Sequence, residues 1–185
     1  MDRSRLKPFL FALLIALIGG VAYYAFHASS KGAPEKERRL PTEIVEANDF
    51  DAIDVSGEKF SLSDFPDKPV VVHFWASWCG PCINEFPKMI RFIQSLKGSV
   101  HLAAVSADHS DEDIKAFLAK TGLNSSPFIH IIRDNGGKIA EQYKAKMLPT
   151  SIIIGKGLRV EKRIPGEIDW EDPKLREIFE GLASQ

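Results

Sequence analysis

Hydrophobic and polar positions change period several times along this chain, and each change marks an element. Val70-Val71-Val72-His73-Phe74-Trp75 is a nearly continuous apolar, β-branched run behind Pro69, which predicts a strand buried on both faces and central in its sheet. Phe86, Met89, Ile90 and Ile93 then recur at helical spacing until Gly98, with Pro87 predicting a kink inside that helix. Val100–Ala107 reads as a second strand. Ser110 with Asp113, ahead of Ile114, Phe117 and Leu118, forms a capping-box start to a helix that ends at Gly122. Strand, helix, strand in this order implies a right-handed parallel crossover.

Phe128–Ile132 is a further β-branched run, and the turn cluster Asp134-Asn135-Gly136-Gly137 separates it from a short helical stretch, Lys138–Tyr143. Ser151–Ile154 and Leu158–Ile164 flank Gly155-Lys156-Gly157 and predict an antiparallel hairpin at one sheet edge. A last helix is expected from about Asp169 to Leu182, burying Trp170, Leu175, Ile178, Phe179 and Leu182. The sum is an α/β domain with a central mixed sheet flanked by helices.

The amino terminus has a different pattern. Arg3, Arg5 and Lys7 precede an uncharged, mostly apolar run from Pro8 to Phe26, and about 19 residues at about 1.5 Å each nearly cross a hydrocarbon core. A cleaved signal segment shares this layout, with Ala28-Ser29-Ser30 as the one tolerable cleavage site. The bulky Tyr23, Tyr24 and Phe26 crowd that end and suit an interfacial aromatic belt, which favours an uncleaved transmembrane helix. Residues 1–28 are therefore expected to anchor the chain, 29–41 to form a linker, and 42–185 to fold as one domain. The early positive charges place that domain outside the cytoplasm, tethered to the inner membrane by a single pass.

Composition narrows the function. With 24 Lys plus Arg against 25 Asp plus Glu, the net charge of −1 leaves no electrostatic footprint for nucleic acid. Two cysteines cannot build a disulfide scaffold, and they stand together as Cys79-Gly80-Pro81-Cys82 where the central strand meets its helix. At a helix start the first of them lies among unpaired backbone N–H groups that favour a thiolate. Cys79 is the expected nucleophile, and Cys82, one turn deeper, the thiol that attacks the mixed disulfide and closes a Cys79–Cys82 disulfide. A zinc site would need two more ligands, and His27, His73, His101, His109 and His130 are scattered singly. A purely structural disulfide would close too short a loop to stabilise much.

The run Phe74-Trp75-Ala76-Ser77-Trp78-Cys79-Gly80-Pro81-Cys82 closely resembles the thioredoxin active-site motif. Cys82-Ile83-Asn84-Glu85-Phe86-Pro87, the lead-in Asp54–Phe65, the extra helix near Asp111–Thr121 and Leu148-Pro149-Thr150 are similar to the membrane-anchored TlpA/ResA branch of the thioredoxin superfamily. That resemblance implies a thioredoxin-like fold and thiol:disulfide oxidoreductase activity without a cofactor. It implies a cis peptide bond before Pro149, beside Cys79, leaving Leu148, Pro149 and Thr150 to pair with an extended substrate peptide. Trp78 would then lie exposed on the contact face and Trp75 in the core. Glu85 would tune the cysteines. His73 occupies the place where thioredoxins proper carry a buried Asp that takes the proton of the second cysteine, and a histidine could do the same.

The leading function is an enzyme reducing extracytoplasmic protein disulfides, because the Gly80-Pro81 dipeptide is that of the reductant thioredoxin. The resemblance implies a membrane electron donor of the DsbD/CcdA kind, and apocytochrome c, in cytochrome c maturation, among the substrates. Two other readings compete: a disulfide oxidase or isomerase using the same motif, and a copper-binding metallochaperone using both cysteines with a distant histidine such as His130. The chaperone reading is opposed by the CxxC spacing, since such proteins share a CxxxC motif. A peroxidase is disfavoured by the Trp-Cys-Gly-Pro-Cys context.

Overall fold

The computed structural model describes residues 46–122 and 126–184, together with Leu17, Gly20 and Tyr23. The chain divides at residue 43/44. The predicted anchor and linker fall outside the described residues except at those three positions. Among the described residues no helix is long and apolar enough to cross a membrane.

A five-stranded sheet organises the domain. Its strands are β3 (Val70–Trp75), β4 (His101–Ser106), β5 (Ile129–Arg133), β6 (Thr150–Ile154) and β7 (Val160–Pro165), in the order β5-β4-β3-β6-β7. β3 pairs in parallel with β4, and β4 with β5, whereas β6 runs antiparallel to both β3 and β7. The sheet is mixed, with the predicted strand at its centre. A small antiparallel pair, β1 (Asp51–Ile53) and β2 (Lys59–Ser61), precedes it.

Side-chain alternation along β3 builds two cores. Val71 and Trp75 face helices α1 (Gly80–Ser95), α2 (Asp111–Thr121) and α4 (Pro173–Ala183), through Phe86, Met89, Ile93, Ile114, Phe117 and Phe179. Val70, Val72 and Phe74 face the other way, onto Phe50, Phe60, Leu62 and Tyr143, beside α3 (Lys138–Gln142). Trp75 packs on Phe86 and Phe117, with ring centroids 4.1 and 5.0 Å away, so one large aromatic locks α1 and α2 to the sheet. α1 carries Pro87 in its interior and remains a single helix. α2 starts on the Ser110 side chain, which accepts from the Asp113 N–H, and ends at Gly122 with φ 63°, as its caps predict.

Most element boundaries fall within a residue or so of the sequence expectation, and two of the differences have a clear local cause. Leu158 is not in a strand: it belongs to a 3-10 turn, Lys156–Leu158, with φ 57°, and β7 starts at Val160. The last helix starts at Pro173 rather than near Asp169, because Asp172 caps it through the Lys174 N–H and Pro173 occupies the first helical position. Trp170 therefore lies in the turn ahead of the helix, still buried, while Ile178 is exposed rather than part of the packed face.

Candidate active site

The cysteines stand where sheet register places them. β3 ends at Trp75, and the chain turns through Ala76–Trp78 into the amino terminus of α1. Asp108 holds that turn. Its Oδ1 accepts from Ser77 Oγ at 2.7 Å, and its Oδ2 accepts from the Ser77 N–H at 3.0 Å and from Ser106 Oγ at 2.6 Å. Asp108 is a positioning residue that the sequence pattern did not single out; its one visible signal is a lone acid just past a buried strand. Replacing Asp108 by Ala leaves these buried donors without an acceptor and should destabilise the domain by about 2–3 kcal/mol, with Asn recovering part of the loss. Chemical denaturation of the three chains, compared at constant m-value, reads this directly.

Cys79 caps α1. Its Sγ accepts from the Cys82 N–H at 3.4 Å, and its carbonyl accepts from the Ile83 N–H at 3.0 Å. Proline in the first turn removes an N–H that would otherwise be left without a partner. A disulfide joins Cys79 to Cys82. The two cysteines are not equivalent: Cys79 keeps 7% of its surface exposed and Cys82 none, while the adjacent Trp78 is 64% exposed.

The Leu148–Pro149 bond is cis. Thr150, the first residue of β6, pairs with Phe74 near the end of β3, so Pro149 lies at the end of the sheet from which the cysteine turn departs. The Pro149 carbonyl accepts from the Gly166 N–H at 2.9 Å, and Thr150 Oγ1 donates to the Met147 carbonyl at 2.8 Å. Among the described residues no hydrogen bond engages the Leu148 backbone. Leu148 is half-buried, Pro149 and Thr150 are buried, and Met147 is exposed.

Glu85 lies one turn below Cys82 on the same face of α1 and is buried. Its Oε1 accepts from the Trp170 indole N–H at 2.5 Å and from the Ile168 N–H at 3.1 Å, while its Oε2 has no partner among the described residues. Burial pushes the carboxyl above the ordinary range against these two donors, and the charge of Glu167 adds to the rise. Trp170, which the hydrophobic pattern assigns only to packing, is thus a second functional residue that local sequence does not reveal. It could not be paired with Glu85 from a separation of 85 positions.

His73 is sealed in β3 and faces the same side. Its Nδ1 bonds Ser151 Oγ at 2.8 Å, its Nε2 has no partner among the described residues, and its ring meets Trp170 edge-on at 6.4 Å. Burial pushes its pKa down to about 3, which keeps the imidazole neutral throughout the neutral range. His130 lies on the opposite side of the sheet from the cysteines, against Phe60 and Phe65.

Comparison with known proteins agrees with this geometry. The AhpC/TSA family model matches residues 45–163. The thiol-disulfide oxidoreductase ResA of Bacillus thuringiensis subsp. konkukian is 34% identical over 169 residues, covering 90% of this chain and 91% of that one. ResA of Bacillus subtilis is 28% identical over 155 residues, covering 83% of this chain and 82% of that protein. Among solved structures, a Chlorobium tepidum protein described as a thiol:disulfide interchange protein DsbE superposes with TM-score 0.65 at 29% identity, covering 75% of this chain and 95% of that one. StoA from Bacillus subtilis superposes with TM-score 0.60 at 25% identity, covering 72% and 97%. A thioredoxin-like sheet, a cysteine pair at the start of its first long helix and a match over most of the domain establish that the chain belongs to the AhpC/TSA family, as a ResA-like thiol-disulfide oxidoreductase.

Proposed function

We propose that this chain is a membrane-tethered, extracytoplasmic reductase of protein disulfides. The observation that carries the mechanism is the inequality of the two cysteines, one 7% exposed at the cap of the helix and the other fully buried one turn inside. In the reduced enzyme the Cys79 thiolate attacks one sulfur of a substrate disulfide, forming a mixed disulfide and releasing the other substrate sulfur as a thiolate. Cys82 gives up its proton and attacks Cys79 Sγ, which expels the second substrate thiolate and closes the Cys79–Cys82 disulfide. Two electrons pass to the substrate.

Glu85 is our choice for the group that takes the Cys82 proton. It shares a helix face with Cys82, its Oε2 is unengaged, and burial raises its pKa toward that of a thiol. His73, held neutral and bonded to Ser151, serves to fix the buried sheet face on which Trp170 packs. The substrate chain would lie across Trp78 and Met147 and pair with the free backbone of Leu148, a strand-addition mode in which Pro149 and Thr150 form the floor.

The reducing direction is supported by Gly80-Pro81, and the tether by the apolar run 8–26 with its aromatic end. A reductant outside the cytoplasm needs electrons from the membrane, which fits a donor of the DsbD/CcdA kind and apocytochrome c cysteines as substrate. The copper-carrier reading is not supported by His130, the example of a third ligand given for it, since that residue faces away from the cysteines. The full chain equilibrated with defined thiol buffers should show a reduction potential below about −230 mV, on the reducing side of the glutaredoxins. A value near about −120 mV, that of the oxidant DsbA, would make it an oxidase instead.

A further inference from the structure

The turn between β1 and β2 does more than reverse the chain. Asp54 Oδ1 accepts from the Ser56 N–H at 2.9 Å, from Ser56 Oγ at 2.6 Å and from the Glu58 N–H at 3.0 Å, so one carboxylate oxygen is fully used in shaping the turn. Gly57, with φ 91°, supplies the left-handed residue that the turn requires. The turn is pinned to the sheet edge: the Val55 N–H donates to the Ile131 carbonyl at 2.9 Å, and Asp54 bridges Ile132 on β5.

This docking brings Asp54 Oδ2 to 4.0 Å from His130 Nδ1, too far for a hydrogen bond. Glu58 adds a second carboxylate, and one ligand atom from each of Asp54, Glu58 and His130 lies within 4.8 Å of the others. His130 is only 7% exposed, yet neither of its ring nitrogens has a partner among the described residues. A buried imidazole with both nitrogens idle loses its water partners and gains none in return, an arrangement a bound ligand would repair. Around it stand Phe60 and Phe65, with ring centroids 4.9 and 5.7 Å away, and the stacked ring of His101, 6.0 Å away, none of which is placed to accept its proton.

We propose that Asp54, Glu58 and His130 bind a divalent cation of the zinc class. One neutral imidazole with two carboxylates is a nitrogen–oxygen set that suits Zn²⁺ and its neighbours, whereas Ca²⁺ and Mg²⁺ take all-oxygen sets. Bonds of about 2.0–2.2 Å to a tetrahedral ion put neighbouring ligand atoms about 3.3 Å apart. The Asp54–His130 gap therefore closes with a movement of under about 1 Å. Glu58 is exposed and its side chain can swing to meet the ion, which gives the site an entry path from solvent. The ion would clamp the β1–β2 turn to β5, on the side of the sheet away from the cysteines.

The test uses the full chain with its Cys79–Cys82 disulfide closed, so that no thiol can bind metal. Titration with Zn²⁺ alone should show one equivalent bound with a raised Tm, and Co²⁺ alone should develop ligand-field absorption at the same stoichiometry. Glu58→Gln changes an exposed side chain and leaves the fold intact; it should weaken binding by at least about tenfold, a scale on which even indirect partners of a metal site act. His130→Asn should abolish binding. The absence of a bound equivalent, or an affinity unchanged in Glu58→Gln, overturns the assignment.

Discussion

A chain carrying Cys82→Ala will accumulate a stable mixed disulfide with a peptide-disulfide substrate, while Cys79→Ala will form no adduct and will lose turnover to the uncatalysed background. The asymmetry follows from position. Cys79 caps the helix start next to the exposed Trp78 and keeps 7% of its surface exposed, whereas Cys82 keeps none. Substrate sulfur can therefore reach Cys79 alone. Once the mixed disulfide exists, its release depends on a thiol held three residues away on the same helical turn, and removing that thiol stops the reaction after one covalent step. Intact-mass measurement under non-reducing conditions reads the adduct directly. Equal adduct formation by both variants would show that the buried sulfur is reachable and would sink the assignment of roles.

The second expected result concerns Glu85 and its indole partner. Glu85→Gln should slow resolution of the mixed disulfide by about 10²-fold or more, the lower range for loss of a positioned proton acceptor. Trp170→Phe is the more discriminating change. Phenylalanine keeps the packing against Phe92, whose ring centroid is 5.6 Å away, and removes the N–H that stabilises the ionised carboxylate. The sign follows from that loss: without the donor the charged form is less favoured, the Glu85 pKa rises further, and the base is ionised only at higher pH. The rising limb of the resolution rate should then move to alkaline pH. A hydrogen bond to a charged group favours the ionised form, so its loss moves the limb in one direction only, to higher pH. Stopped-flow measurement of resolution across pH 4–9 separates this from a structural effect, because a merely loosened fold would lower the rate without moving the limb. An unmoved limb in Trp170→Phe would remove Glu85 from proton transfer.

Much of the domain could be read from local pattern. The β-branched run 70–75 could be only a buried strand, and its even burial on both sides is what places it at the sheet centre. The caps at Ser110 and Gly122 set the ends of α2 because hydrogen bonds within a few residues decide them. The same kind of local signal, Asp172 followed by Pro173, marks the start of α4, and hydrophobic periodicity extended over Trp170 obscured it. Leu158 departs from its pattern for a related reason: an apolar residue reads as strand, but here the turn around Gly157 holds it at positive φ.

The cysteine pair, its place at a strand-to-helix junction and the proline at 149 were all determined by contiguous residues, and with them the reaction class. Tertiary structure alone decided which distant groups complete the chemistry. Trp170 and Ile168 reach Glu85 across more than eighty residues, Asp108 holds the Ser77 turn from the end of the neighbouring strand, and His130 is brought to Asp54 by a hairpin docked on a sheet edge. Sequence carries the identity of a group and its local backbone. The partners of a buried polar group are set by chain closure over long separations, where many pairings have similar local cost and only the packed sheet selects one.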